Sequence, residues 1–274
     1  MDPRAALAGT GLVTHLRSNL TLSVPFPDCG RGGQWGVAAL AVRGVHREPG
    51  RRQTRFHHQV TAYGIRTADA ESARALLDST PRADIESLDP AMRSPAQHLI
   101  ITVASAAEMA GDPRGTVSLL DERDEFGTRR AYVKLSAGPA DARTWDTMDR
   151  SAVGVAEVLA AGTPYKLLRP RRLARHGDAH PAGASPTEES REPLGCGHHE
   201  MGTLRMGEDP QDSVADPDCR IRALSNLYIA GPAMFPGLDS VGPVLPGIAL
   251  TLRLGEHLLQ AHHRKGELKC NGLP

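Results

Sequence analysis

The order of apolar and polar positions divides the chain into a strand-rich first half and a glycine-punctuated C-terminal part that runs into a helix. From Leu12 to Pro25 a mixed turn gives way to an alternating pattern that predicts a strand. Gln59–Tyr63 and His98–Val103 are short apolar runs of strand length. Val117–Leu119 and Ala131–Leu135 flank a polar turn ending in Phe126-Gly127, the pattern of a hairpin. Thr144 is placed to cap a helix whose inner face carries Trp145, Met148, Ala152, Val155 and Leu159 and which ends at Gly162. Residues 165–194 then turn to Arg, Pro, His, Ser and Glu, the composition of a linker. Order resumes at Leu194. An apolar strand is predicted over Asn226–Gly231, a loop over Pro232–Pro246, and after Pro246 a final helix with Ile248, Leu252, Gly255 and Leu259 on one face. That helix is expected to fray into the His- and Lys-rich tail, residues 263–274.

Composition narrows the class. A chain of 274 residues can bury one sizeable core or two smaller ones, and 40% hydrophobic with 23% charged residues is ordinary for a soluble protein. The 32 basic and 32 acidic residues cancel, which argues for neither nucleic acid nor a membrane surface as partner. No apolar run has the length of a membrane span, and Met1–Ala5 lacks the layout of a secretory signal, so a cytoplasmic location is expected. Cys29, Cys196, Cys219 and Cys270 are scattered without CxxC spacing and read as free thiols.

Two local patterns invite other chemistries. Cys196-Gly197-His198-His199, with Cys219 beyond, offers zinc ligands, but the spacing fits no common zinc framework and no metal site is expected. His199-Glu200 opens like HExxH, yet Thr203 stands where the second His must be. Gly30-Arg31-Gly32-Gly33-Gln34-Trp35-Gly36 is a flexible loop rather than a dinucleotide fingerprint, since no strand precedes it and no helix pattern follows. Arg169–Arg175 reads as a solvated charge cluster.

The chemistry concentrates in His198-His199-Glu200-Met201-Gly202-Thr203-Leu204-Arg205-Met206-Gly207. A histidine on a turn is a proton acceptor near neutral pH. A strand ending in Ala230-Gly231 lets backbone approach a flat cofactor closely. Together they suggest redox chemistry on a bound cofactor, with a histidine handling the proton.

In this order the elements resemble the C-terminal part of the glucose-methanol-choline (GMC) oxidoreductases, FAD-dependent enzymes that oxidise alcohols. The family's closing pattern is matched by His199-Glu200-Met201-Gly202-Thr203-Leu204-Arg205-Met206-Gly207, then Ser213-Val214-Ala215-Asp216, Asn226-Leu227-Tyr228-Ile229-Ala230-Gly231, Phe235-Pro236 and Gly242-Pro243 before the helix. Upstream, His15-Leu16-Arg17-Ser18-Asn19-Leu20 is similar to the junction leaving the family's flavin domain. The Asp124-Glu125-Phe126-Gly127 hairpin and the Trp145 helix are similar to its substrate domain.

The resemblance implies an α+β fold: a largely antiparallel substrate domain with helices, plus a C-terminal strand–loop–helix segment of the FAD domain. It divides the chain into a junction remnant (1–25), substrate domain (26–164), linker (165–194), C-terminal GMC segment (195–262) and tail (263–274). It implies FAD as cofactor, a small-molecule alcohol as substrate and His199 as catalytic base. Gly242 occupies the position of the family's second catalytic Asn or His, and Gly231, Pro232, Gly242, Pro243 and Val244 are expected to lie along the flavin. His198 is expected to pack or support, and Arg205 and Asn226 to serve turns and packing.

Two departures matter. The family's N-terminal FAD-binding βαβ unit is not found, so either a separate polypeptide supplying it is expected as partner or the start is misplaced. Gly242 has no side chain to bond the substrate hydroxyl, which leaves His198, a water or Asp239 as substitutes. A non-catalytic remnant or binding module that holds no FAD is the alternative. The apolar face of Leu227, Ile229, Ile248 and Leu252 is expected to lack its packing partner.

Overall fold

In the computed structural model the alternating N-terminal segment forms two strands, β1 (Thr10–Val13) and β2 (Leu16–Phe26), that belong to different compact units. The structure describes residues 7–26, 38–65, 97–110, 115–168, 189–237 and 239–270. The expected Cys29–Gly36 loop, the Arg169–Arg175 run and most of the 165–194 linker lie outside them. The fold is α+β, with two antiparallel sheets and two long helices among the described residues.

One unit comprises Leu16–Glu108 and Pro139–Pro193. Its sheet joins β2 to β3 (Ala38–His46), β4 (Thr54–Ile65), β5 (Gln97–Ala107) and β8 (Lys166–Leu168) in the order β3-β4-β5-β2-β8. Alternation along β2 turns Leu16, Leu20, Leu22 and Val24 into the core, where Val60, Ile101 and Val103 meet them. Helix α1 (Pro139–Ala160) packs across β2 and β5.

The helix starts earlier than its expected Thr144 cap. Pro139 suits a first turn, where its missing N–H would be unpaired anyway. Thr144 is instead buried within the helix, its hydroxyl 3.0 Å from that of Thr54. The buried face runs through Trp145, Met148, Ala152, Ala156 and Ala160; Val155 and Leu159 flank it and are partly buried.

A polar network fixes the helix on the strand. Trp145 Nε1–H donates to the Ser18 hydroxyl (2.9 Å), and Ser18 in turn donates to Asp149 (2.7 Å). Arg191 donates to Asp149 (2.7 Å) and Asp146 (2.5 Å), and its guanidinium lies 5.2 Å from the Trp145 ring centre. Burial pushes the Asp149 carboxyl up from its ordinary value, against the downward pull of Ser18 and Arg191.

The other unit comprises Met1–His15, Met109–Gly138 and Leu194–Pro274. Its sheet has the order β7-β6-β1-β9, from β1, β6 (Thr116–Arg123), β7 (Arg129–Lys134) and β9 (Met201–Thr203). The expected hairpin is present. Asp124 closes its turn by accepting the Phe126 and Thr128 N–H groups. Leu12, Val13, Met201, Val214, Ile221, Met234, Phe235 and Leu254 are buried in this unit.

Two expectations for the C-terminal part change. Asn226–Gly231 is not a ladder strand: Tyr228 makes an isolated bridge with Arg220, and Ile229 N–H donates to the Cys219 carbonyl. A segment with so few partners cannot form a regular sheet. Helix α2 (Val244–Cys270) starts two residues before Pro246, again tolerated in a first turn, and stays helical through most of the expected tail. Its Ile248 and Leu252 are more than half exposed. No helix among the described residues is long and apolar enough to cross a membrane.

His58 gives the five-stranded unit a pH dependence. It is fully buried, with Nδ1 2.7 Å from the Ser105 hydroxyl and Nε2 3.0 Å from that of Ser151. Two hydroxyls satisfy a neutral ring's one donor and one acceptor. Burial, aided by neighbouring His57, lowers its pKa from 6.5 to about 4. The unfolded chain therefore takes up the proton first, and stability falls as pH drops from 6.5 towards 4. Denaturant titrations across that window are expected to show a loss of about 3 kcal/mol from this group, and His58→Gln to remove that part of the slope. An unchanged slope in the variant contradicts the assignment.

Candidate active site

The site is built by strand register. β9 pairs antiparallel with β1, Val13 opposite Met201. Continuing that register two residues beyond each strand brings residue 15 opposite residue 199, and the two imidazoles meet there. Nδ1 of His15 lies 3.1 Å from Nδ1 of His199, with ring centres 5.1 Å apart and planes 77° apart. His15 is 4% exposed and His199 half-buried. His15 Nε2 lies 2.9 Å from the Asp239 carbonyl oxygen.

Gly202 explains the fixed glycine of the histidine block. Its φ is +90°, and a Cβ there would fall 2.1 Å from the Gly11 carbonyl oxygen on the paired strand. Beyond it, Leu204 N–H donates to the Ala233 carbonyl (2.9 Å) and Met206 N–H to that of Met234 (2.7 Å). These bonds tie the block to the short 3-10 turn Pro232–Met234. Arg205 braces the following loop, donating from Nε to the Asp212 carbonyl (2.8 Å) and from Nη2 to the Asp212 carboxylate (2.9 Å).

Gly242 stands against the base candidate. A Cβ built on it would lie 3.2 Å from Cε1 and 3.5 Å from Nε2 of His199. The two positions expected to act together are therefore adjacent, and the glycine leaves the imidazole room that a side chain would crowd. Of the expected substitutes, the Asp239 carboxylate accepts the Ser240 N–H (2.6 Å) and lies 3.3 Å from its hydroxyl, while His198 is exposed with φ +52°.

The positions expected along a flat cofactor differ in exposure. Gly231 is half-buried with φ +114°, has nothing within 4 Å of a Cβ position, and its carbonyl accepts the Met234 N–H (3.4 Å). Pro232 and Val244 are exposed, Gly242 is half-buried, and Pro243 is buried and holds the turn. The open space over Gly231 and the exposed Pro232 and Val244 leave room for a planar ring system. No group of three or more His, Cys, Asp or Glu residues among the described residues is arranged to hold a metal ion.

His15 and the Asp239 carbonyl were not legible as site groups. The only signal lay in the junction motif, where His15 precedes Leu16-Arg17-Ser18-Asn19.

Comparison with known proteins gives the family. A family profile described as GMC oxidoreductase matches residues 111–251. A C-glycoside 3-oxidase of Microbacterium trichothecenolyticum is 37% identical over 67 residues, covering 24% of this chain and 13% of that protein. A pyridoxine 4-oxidase of Microbacterium luteolum is 47% identical over 47 residues, 17% of this chain and 9% of that protein. Among solved structures, a pyridoxine 4-oxidase from Mesorbium loti superposes with TM-score 0.47 at 18% identity, covering 94% of this chain and 44% of that one. The chain thus spans less than half the length of that relative.

Gly202→Ala is expected to lower stability by about 2–4 kcal/mol, since it combines a strained φ with a clash against backbone. Chemical denaturation measures it. A variant as stable as the parent contradicts the account of this strand pair.

Proposed function

The chain belongs to the GMC oxidoreductase family, and from that premise we propose that it forms the substrate-binding and flavin-closing part of an FAD-dependent oxidoreductase acting on the CH–OH group of alcohols. The observation that carries the reading is the approach of Gly242 to His199, whose turn is braced by Gly202 and the 3-10 turn. The substrate hydroxyl gives its proton to His199, whose imidazole is held half-buried beside the open backbone of Gly242. Gly231, Pro232, Gly242 and Val244 would hold the flavin, with Pro243 setting the turn, and FAD bound there would supply the hydride acceptor for oxidation of the alcohol to a carbonyl.

The nucleotide-binding part comes from polypeptide outside these 274 residues, and the exposed Val244, Leu245, Ile248 and Leu252 form an apolar face suited to meet it. Described Cys196 and Cys219 are free thiols, which suits a cytoplasmic setting. Domain bounds of 26–164 for the substrate domain and 195–262 for the closing segment belong to the same reading. A second reading, a binding module without catalysis, is favoured by one observation: Gly242 offers no polar group to a developing alkoxide.

Flavin absorbance decides between them. The chain, combined with its nucleotide-binding part and FAD, is expected to retain flavin that bleaches anaerobically with an alcohol. The names of its relatives put glycosides and pyridoxine first in the panel. No bleaching by any of them overturns the enzymatic reading. Gly242→Asn restores a hydrogen-bond donor of a kind that contributes roughly 100- to 1000-fold elsewhere. It is expected to speed reduction at least about tenfold, whereas Gly242→Ala, which only crowds His199, is expected to slow it. Equal rates for the parent and the Asn variant contradict the role given to this position.

A further inference from the structure

A neutral imidazole carries one proton, and the nitrogen that holds it decides where the basic lone pair points. The partner of His15 Nε2 is the Asp239 main-chain carbonyl, 2.9 Å away, which can only accept. Nε2 of His15 therefore carries its proton. A neutral His15 then presents a lone pair at Nδ1, and the 3.1 Å contact is a hydrogen bond when Nδ1–H of His199 donates to it.

We propose that His15 is a positioning residue that holds neutral His199 in its Nδ1–H tautomer, leaving the lone pair on Nε2, the nitrogen that faces Gly242. The inference rests on the reading of His199 as base and adds which atom of it takes the proton. His15 is 4% exposed, so water competes weakly for its lone pair. The edge-on ring arrangement, planes 77° apart, also fixes the rotation of the His199 ring. When Nε2 accepts a proton, the imidazolium still donates from Nδ1, so the contact survives the step and steadies the charged form. The arrangement follows the common pattern in which the partner of one ring nitrogen sets the state of the other.

The test needs neither cofactor nor substrate. Two-dimensional nitrogen–proton spectra of the full chain carrying 15N-histidine are recorded where the ring is neutral, with His199→Gln identifying the His199 signals. Nδ1 of His199 is expected at the shift of a protonated ring nitrogen and Nε2 at that of a bare one. His15→Phe removes the acceptor and is expected to move the tautomer ratio towards Nε2–H by roughly tenfold, the scale of one hydrogen bond. His15→Asn, whose Oδ1 stands near the former Nδ1, is expected to keep the Nδ1–H form. A bare Nδ1 in the parent, or a ratio unchanged in His15→Phe, overturns the proposal. If His15→Phe fails to fold, the parent and His15→Asn spectra still decide. The expected tautomer in a chain that oxidises no alcohol would count against the enzymatic reading alone.

Discussion

The antiparallel pairing of β9 with β1 is the constraint on which the site depends. It involves few residues, yet its register decides that position 15 faces position 199, although 184 residues separate them along the chain. A one-residue slip would turn the side chains of the strand to the opposite face. The glycines at 9, 11 and 202 prevent such a slip by close backbone approach: Gly9 accepts from Val117 and donates to Thr203, each at 2.7 Å, and Gly202 sits where any Cβ would strike the Gly11 carbonyl. The glycines of the motif thus serve register as much as turn geometry, and the histidine inherits its place from them.

The second unit solves a different problem with polar groups. Its central strand β2 buries leucines towards α1, but Ser18 interrupts that face and is fully engaged by Trp145 and Asp149. Arg191 completes the network, bridging the chain after the linker region to the helix. A buried carboxylate of this kind stabilises little by itself and costs much if a partner is removed. Its effect is to select one helix position on the sheet. His58 behaves similarly, held neutral between two hydroxyls.

What was legible in the sequence were features carried by local pattern. Alternation marked β2, short apolar runs marked β4 and β5, and the Asp124–Gly127 turn marked its hairpin, while the His199 block marked the candidate site. β3 was not singled out because an edge strand of Ala38, Ala39, Ala41 and Gly44 has little alternation to read, and Gly44 is there to make room for the Phe56 ring on the neighbouring strand. Asn226–Gly231 looked like a strand because apolar runs do not reveal whether a partner exists. His15 escaped notice because its role comes from long-range register, and the Asp239 contribution is a backbone carbonyl that no side-chain pattern can announce.

In the proposed function, His199, with Gly242 beside its ring, takes the proton of the substrate hydroxyl. The most direct test of that claim is the rate of anaerobic flavin reduction by an alcohol substrate in the assembled protein, compared between the parent and His199→Ala, with and without added imidazole. A loss of roughly 100- to 10,000-fold, the range for a positioned general base, partly restored by imidazole in proportion to its concentration, is the expected result. A His199→Ala protein that reduces its flavin at the parental rate would contradict the account.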